Sequence, residues 1–216
     1  MIDNLERRST PRPINFRAAE EGADSPGTLE GYAAVFNSES RDLGGWVEVI
    51  DPAAFGEAGA LDLERHIRVI ARSEHDSRHL LGTTDAGTLS IVIDDVGVRY
   101  TVKLPQTSAG RDAAVLAQRG DYAFSSFAFY TLPNGSEWRE NAQGILVRRV
   151  TAAQLVDVAP VADPAYWGAT VAARDFDLEA IRASIHPSPE PPGEWEQIAR
   201  DRAQSIDARM RVRKGY

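Results

Sequence analysis

Residues 124–130 read Phe124-Ser125-Ser126-Phe127-Ala128-Phe129-Tyr130. This stretch alternates with period two, which is typical of a β-strand because successive side chains point to opposite faces of a sheet. Ser125 shares one face with two phenylalanines and is predicted to point towards the core. Ser126 shares the other face with the small residue Ala128, which leaves space beside its hydroxyl. The pattern therefore predicts a strand with two neighbouring serines in opposite environments.

The segments on both sides continue the β pattern. Residues 90–93 and 98–102 flank the turn-forming cluster 94–97, and together they predict a hairpin. Residues 155–161 also alternate, and this stretch carries one acid, Asp157, among apolar neighbours. The chain from residue 29 onward is therefore predicted to be rich in strands.

A carboxylate on an apolar strand must find a partner when it is buried. His75 would provide one for Asp157. The alternative is a hydrogen-bonded core acid, or one paired with Arg148 or Arg149. Asp76 is a rival acid for His75, but as its sequence neighbour it is awkwardly placed to orient the imidazole.

Helical signals interrupt the strands. Asp51, followed by a proline, predicts an N-cap and the first position of a short helix. Residues 111–118, bounded by Ser108 and Gly120, predict an amphipathic helix with a glycine stop. A further helix is predicted from about residue 177 to residue 185.

Composition bounds the class of protein. The 216 residues are 43% hydrophobic and 26% charged, which suits one well-buried domain with appendages. The lack of Cys excludes a disulfide scaffold and a Cys nucleophile. No apolar run approaches the ~18 residues of a membrane span, and no signal peptide is recognisable, so the protein is expected to stay inside the cell. A net charge of -8 argues against a nucleic-acid binder and favours protein partners.

The chain is predicted to divide into four parts. Residues 1–28, which contain several prolines, are predicted to be a flexible N-terminal arm with one short strand around residue 15. Residues 29–175 are the main domain. Residues 176–193 combine a helix with a Pro-rich linker, and residues 194–216 form an Arg-bearing helical tail whose apolar face is too thin to fold alone.

Four histidines are candidates for chemistry: His66, His75, His79 and His186. His66 lies in a charged stretch that is predicted to be helical, and His186 lies in the linker. His75 and His79 are four residues apart, a spacing that would bring both to one helix face to bind a metal. The intervening Glu of a zincin motif is missing, and polar side chains at 73, 76 and 77 favour a turn. The expectation is therefore no metal and no cofactor.

Three blocks stand out: Glu74-His75-Asp76 followed by residues 80–83, Ser125 to Phe129, and Leu155 to Val158 running into residues 163–166. Their order and contexts, with residues 88–105 between them, resemble the prohead maturation proteases of tailed bacteriophages, whose fold is similar to herpesvirus assemblin. The similarity covers roughly residues 29–170. It differs from the usual family pattern by Ala128 in place of Gly and by Asp157 in place of Glu.

The resemblance implies an α+β fold, a mostly antiparallel β-barrel wrapped by helices as in herpesvirus proteases. It also implies a serine endopeptidase in which Ser126 attacks, His75 is the base and Asp157 orients His75. No block identifies an oxyanion hole, for which backbone amides are expected, with Arg148 or Arg149 as an electrostatic aid.

By the same resemblance, the protein would act inside the immature capsid in the host cytoplasm. Its implied partners are the phage major capsid protein and its scaffold segment, with neither nucleic acid nor membrane, and it would also cleave itself. A homo-oligomer is compatible with this role. The main alternative is a non-catalytic capsid-assembly or scaffold protein that retains the protease fold. A weaker one is a metal-dependent hydrolase that uses His75 and His79.

Overall fold

A computed structural model describes residues 5–10, 12–57, 60–62, 66, 68–163 and 176–186. The strands in these ranges are β1 (Glu6–Thr10), β2 (Asn15–Ala18), β3 (Gly27–Val35), β4 (Trp46–Ile50), β5 (Gly56–Glu57), β6 (Ala60–Leu61), β7 (Ile70–Arg72), β8 (Leu80–Thr83), β9 (Leu89–Ile93), β10 (Gly97–Lys103), β11 (Phe124–Thr131), β12 (Ser136–Glu140), β13 (Leu146–Val150) and β14 (Ala153–Val161). The helices are α1 (Ser108–Arg119) and α2 (Leu178–Ile185), and a 3₁₀ turn covers Ser73–His75. The fold is of the α+β class with a predominance of strands.

One five-stranded sheet carries the sequence blocks that stand out. Its order is β1-β11-β14-β7-β8. β11 pairs antiparallel with β1 on one side and with β14 on the other, whereas β14 pairs in parallel with the short strand β7. The parallel pairing brings the end of β7, where the 3₁₀ turn begins, next to the middle of β14.

The two faces of β11 are those that its alternation predicts. On the core face the rings of Phe127 and Phe129 stack with centroids 5.2 Å apart, and Phe55 meets both edge-on. Ser125 lies on the same face, so close to Gly31 of β3 that a Cβ on that glycine would stand 2.5 Å from the serine Oγ. The core face is therefore tightly packed.

The remaining strands form three smaller sheets. They are β2-β3-β10-β9, β12-β13-β4 and β5-β6. The predicted hairpin is confirmed as β9 and β10, which pair antiparallel. The sheets of the described residues are not closed into a barrel, so the barrel remains a prediction.

Both helices match predicted segments. Helix α1 begins three residues before the predicted range, because Thr107 rather than Ser108 is its N-cap and accepts a hydrogen bond from the Gly110 amide at 3.3 Å. It ends at Gly120, which has a left-handed φ of 84°. Helix α2 covers the segment predicted near residues 177–185.

The predicted helix after Asp51 is wrong. The Asp51 carboxylate does accept a hydrogen bond from the Ala53 amide at 2.9 Å, as a cap would. The turn ends at once, because the Ala54 carbonyl accepts a hydrogen bond from Ala153 at the start of β14 rather than from a following helical turn. The chain continues into strand β5.

The N-terminal segment also differs from the flexible arm that its composition predicts. Residues 6–10 form strand β1, which pairs with β11 along its whole length. The one short strand predicted around residue 15 is present as β2, which pairs with β3. The polar composition of β1 does not predict a strand. Its charged side chains Glu6 and Arg8 are accommodated because they have buried partners of opposite charge.

Two units make up the chain, Met1–Asp177 and Leu178–Tyr216. Helix α2 is the main described element of the second unit, while residue 187 onward, with the rest of the predicted linker and the tail, lies outside the described residues. In the described ranges, neither helix has the length and apolar character needed to cross a membrane.

Candidate active site

His75 stands on a strained turn at the end of β7. Glu74 and His75 have positive φ angles of 55° and 58°, a conformation that residues other than glycine seldom adopt. Two contacts hold the turn in place. The Ser73 hydroxyl is 2.5 Å from the Tyr122 hydroxyl, and the Glu74 carboxylate accepts a hydrogen bond from the Ala162 amide at 2.7 Å. Strain of this kind persists where the surroundings fix it, often at functional sites.

Ser126 meets the imidazole directly. Its Oγ lies 2.6 Å from His75 Nε2. Ser125, next in the chain, turns to the opposite face, where its Oγ is 3.1 Å from the Tyr100 hydroxyl. Burial raises the pKa of Tyr100 to about 12, so this second hydroxyl pair stays neutral.

Asp157, on β14, contacts the other ring nitrogen of His75. Its Oδ1 is 2.5 Å from His75 Nδ1, and its Oδ2 accepts a hydrogen bond from Arg72 Nη1 at 3.0 Å. The Asp157 side chain is fully buried. Both carboxylate oxygens are therefore occupied, one by the imidazole and one by a guanidinium on the neighbouring strand.

These contacts define how the proton can move. A carboxylate can only accept, so Nδ1 of His75 is the donor to Asp157. In the neutral imidazole Nε2 is then free of hydrogen and can accept the Ser126 proton. A serine hydroxyl, an imidazole and a buried carboxylate connected in this order form the arrangement that activates serine for acyl transfer.

The alternative partners of Asp157 are engaged elsewhere. Arg148 contacts Glu6 and Glu48 at 2.6 and 3.0 Å, and Arg149 pairs with Asp51. Glu6 lies on the core face of the five-stranded sheet, and Ser126 lies on the other, so Arg148 does not point to the serine. The proposal of Arg148 as an electrostatic aid is therefore not supported.

Asp76 does not compete for His75. It lies beside Arg78, whose guanidinium is 2.6 Å from the Asp76 carboxylate. Hydrogen bonds from the Arg78 side chain and backbone hold the pKa of the Asp76 carboxyl well below its usual range. Asp157, and not Asp76, is the acid in contact with the imidazole.

The other histidines lie apart from this contact. His66 is buried, with Nε2 2.8 Å from the Phe55 carbonyl and Nδ1 accepting from the Leu155 amide, so it connects parts of the core. His79 is about half exposed. The helix that would bring His75 and His79 to one face does not form, because the segment is a 3₁₀ turn followed by β8. Among the described residues, no cluster of three or more His, Cys, Asp or Glu could hold a metal ion.

Strand β1 contacts the serine. Ser9 is the register partner of Ser126, whose side chain is 0% exposed. The Arg8 carbonyl oxygen lies 2.9 Å from Ser126 Oγ and accepts a hydrogen bond from it. The hydroxyl thus has two acceptors for its one proton, the imidazole and this carbonyl.

Sequence reasoning missed Arg72. Its place depends on the parallel pairing of β7 with β14, which lets Arg72 reach Asp157, 85 positions further along the chain. The one signal in the sequence is a basic residue at the end of an apolar strand, just before the His75 block. That signal is weak, since such arginines are common at strand ends.

Comparison with known families adds an independent finding. A family model described as Caudovirus prohead serine protease matches residues 13–184. The match includes His75, Ser126 and Asp157, and β1 lies before it. Neither the curated proteins nor the solved structures provided a match.

Proposed function

The chain belongs to the caudovirus prohead serine protease family, and on that premise we propose that it is a serine endopeptidase whose catalytic residues are Ser126, His75 and Asp157. The observation that carries the proposal is the continuous contact from Ser126 Oγ through both ring nitrogens of His75 to the buried Asp157 carboxylate. Such a contact gives a weak nucleophile a base, and gives the base a fixed orientation.

The proposed reaction proceeds in two halves. Ser126 Oγ bonds to the carbonyl carbon of the scissile peptide while its proton passes to His75 Nε2. The C–N bond then breaks, His75 returns the proton to the leaving amine, and an acyl-enzyme remains. A water molecule attacks the acyl-enzyme with His75 again as base, which releases the new carboxyl terminus and restores the Ser126 hydroxyl.

The proposed substrates follow from the family. Prohead proteases act in a phage capsid context, so we assign this chain to the immature capsid in the host cell, with the scaffold or the scaffolding segment of the major capsid protein as substrate. Its own Pro-rich segment, residues 187–192, is a second proposed substrate, because four of these six residues are proline, which has no backbone N–H to donate to a helix or a sheet.

Co-expression with the neighbouring capsid gene tests the proposal. New termini, mapped by mass spectrometry, are expected with the wild type and with Ser125→Ala, and are expected to be absent with Ser126→Ala. Ser125→Ala is the matched control, because it removes the same group from the adjacent residue on the opposite face. Identical termini with Ser126→Ala and wild type would overturn the assignment of the nucleophile.

A second candidate is a non-catalytic assembly protein that retains the fold. The complete burial of Ser126 favours it, because a nucleophile must be reached by its substrate. This candidate predicts that Ser126→Ala leaves both capsid assembly and all chain termini unchanged. The same co-expression therefore separates the two functions.

A further inference from the structure

The contact of Ser126 with β1, which pairs with β11 and accepts the hydrogen bond of the serine hydroxyl, is the starting observation. Extended peptides commonly bind by adding a strand to the edge of a sheet. Without β1, the edge next to the serine would be β11 itself, since β1 is the outer strand of its sheet. A peptide carbonyl that approaches Ser126 Oγ along this edge needs the place that β1 and its Arg8 carbonyl occupy.

Four charged side chains hold β1 in that place, and we call them the latch: Glu6 and Arg8 from β1, Glu48 from β4 and Arg148 from β13. Arg8 contacts Glu48 at 2.8 Å, and Arg148 contacts Glu6 at 2.6 Å. Buried charges are tolerated where each has an opposite partner, as here.

The charges of the latch remain balanced when β1 dissociates from β11. Glu6 and Arg8 carry opposite charges, so their departure removes no net charge from the core. Glu48 and Arg148 remain paired with each other at 3.0 Å, so neither is left alone. The body of the protein therefore keeps a neutral ion pair whether β1 is present or absent.

A further feature weakens the hold of β1. The Ser9 hydroxyl is buried and has no hydrogen-bond partner in the described part of the structure. Burying a polar group without a partner is unfavourable, and the cost disappears when the strand returns to water.

The family match starts at residue 13, so strand β1 lies outside the matched residues.

We propose that β1 is an intramolecular inhibitory strand: it occupies the edge of β11 to which a substrate peptide must add, and Ser126 reacts only after β1 has left. The proposal rests on the proposed function of Ser126 as nucleophile. It adds that the folded full-length chain is latent, and that displacement of residues 6–10 exposes the active site.

Labelling of Ser126 by a fluorophosphonate in the full-length protein tests this inference. Arg8→Glu places a third acid beside Glu6 and Glu48 and should release β1. Arg7→Glu is the matched control, because it makes the same charge change on an exposed neighbour. Glu6→Gln is a milder variant that keeps the size of the side chain. Hydrogen exchange of residues 6–10 measures the release of β1 directly, and near-UV circular dichroism checks the core.

The expected result is labelling at least about tenfold faster in Arg8→Glu than in wild type, with Glu6→Gln between them and Arg7→Glu equal to wild type. Equal, rapid labelling of all four proteins would overturn the inhibitory strand and leave the nucleophile intact. Release of β1 in either latch variant without any labelling of Ser126 would overturn the proposed function, and this inference with it. If Arg8→Glu loses its core signal, Glu6→Gln decides between these outcomes.

Discussion

At the scale of single residues, Ser125 and Ser126 are neighbours on opposite faces of β11, and only Ser126 is proposed to be the nucleophile. Ser126→Ala is expected to lower the proteolytic rate by at least ~10⁴, because the nucleophile is removed. Ser125→Ala is expected to keep most activity and to lower the free energy of unfolding by about 1–3 kcal/mol, since the buried Tyr100 hydroxyl loses a partner. Cleavage of a capsid substrate and urea unfolding measure the two effects. Equal losses of activity at equal solubility would contradict the face assignment.

Arg72 is expected to position Asp157 rather than to touch the substrate. Asp157→Asn should reduce kcat about 10⁴-fold without unfolding the protein, because the imidazole loses its orientation. Arg72→Met should reduce kcat about tenfold and leave KM nearly unchanged, because the carboxylate keeps His75 but loses its second anchor.

Arg78→Met is the control for Arg72→Met, because Arg78 is 83% exposed and pairs with Asp76 instead. Steady-state kinetics on a capsid-derived peptide compare the three variants. An Arg72→Met variant with an unchanged kcat would show that the guanidinium has no positioning role.

The limits of sequence reasoning are visible in the same residues. Alternation along residues 124–130 was enough to separate Ser125 from Ser126, because the period of a strand is local information. It could not identify Arg72, whose position depends on strand pairing between distant segments. The positive φ angles of Glu74 and His75 were equally hidden, since the contacts that fix them come from Tyr122 and Ala162.

At the scale of elements, strand β1 is expected to loosen in acid before the rest of the fold. Burial alone would raise the pKa of Glu6, but hydrogen bonds and charges, first from Arg148 and then from Arg8, lower it below its ordinary value of 4.5. A carboxyl with a lowered pKa in the folded state stabilises that state above its unfolded pKa, and this stabilisation is lost as the pH falls through the folded pKa. The pH range in which β1 loses the stabilisation from Glu6 therefore lies below pH 4.5.

Hydrogen exchange between about pH 6 and pH 3, corrected for intrinsic rates, measures this effect. The segment of residues 6–10 is expected to lose protection at a higher pH than helix α1. In Glu6→Gln the strand should be less protected at neutral pH, and most of its acid dependence should vanish. Simultaneous loss of protection in β1 and α1 would argue for global acid unfolding instead.

Elements that carry turn, cap or stop residues in their own sequence could be predicted. Elements that depend on contacts with distant segments could not. The hairpin of β9 and β10 has a turn sequence between two β-rich runs, and α1 has a cap and a glycine stop. Strand β1 has neither, and its charged residues resemble a solvated arm until Glu48 and Arg148 are placed beside them. The false helix after Asp51 had a correct cap but ended when Ala54 paired with β14.

At the scale of the whole molecule, the boundary between the two units matters. Phe176 belongs to the first unit, where its ring is 5.4 Å from Trp46 and 5.2 Å from Trp138. A chain ending at Asp177 is expected to keep the free energy of unfolding within about 0.5 kcal/mol of the full-length value. Phe176→Ala in the full chain is expected to lower it by about 1–3 kcal/mol, because two edge-to-face ring contacts are lost. Urea unfolding of both proteins checks the boundary. A large fall in the free energy of unfolding of the truncated chain would contradict it.

Self-cleavage is expected to shorten the full-length chain. Wild type and Ser126→Ala, purified from the same host, should differ in intact mass, with the wild type cut in the Pro-rich segment of residues 187–192. The inhibitory strand predicts that the cut is slow in wild type and faster in Arg8→Glu. An active wild type that stays full-length after prolonged incubation would exclude self-cleavage.

The order of the strands along the chain has a consequence for biosynthesis. β1 leaves the ribosome before β11, and Arg8 precedes Ser126 by 118 residues. Asp157 lies further on, in β14. At a synthesis rate of about 5–20 residues per second, β1 is available for several seconds before β11 emerges, and β11 emerges before the acid that completes the triad. If β1 is the proposed inhibitory strand, a newborn chain can thus pair β1 with β11 before Asp157 is available, and the chain is protected from premature cleavage of itself.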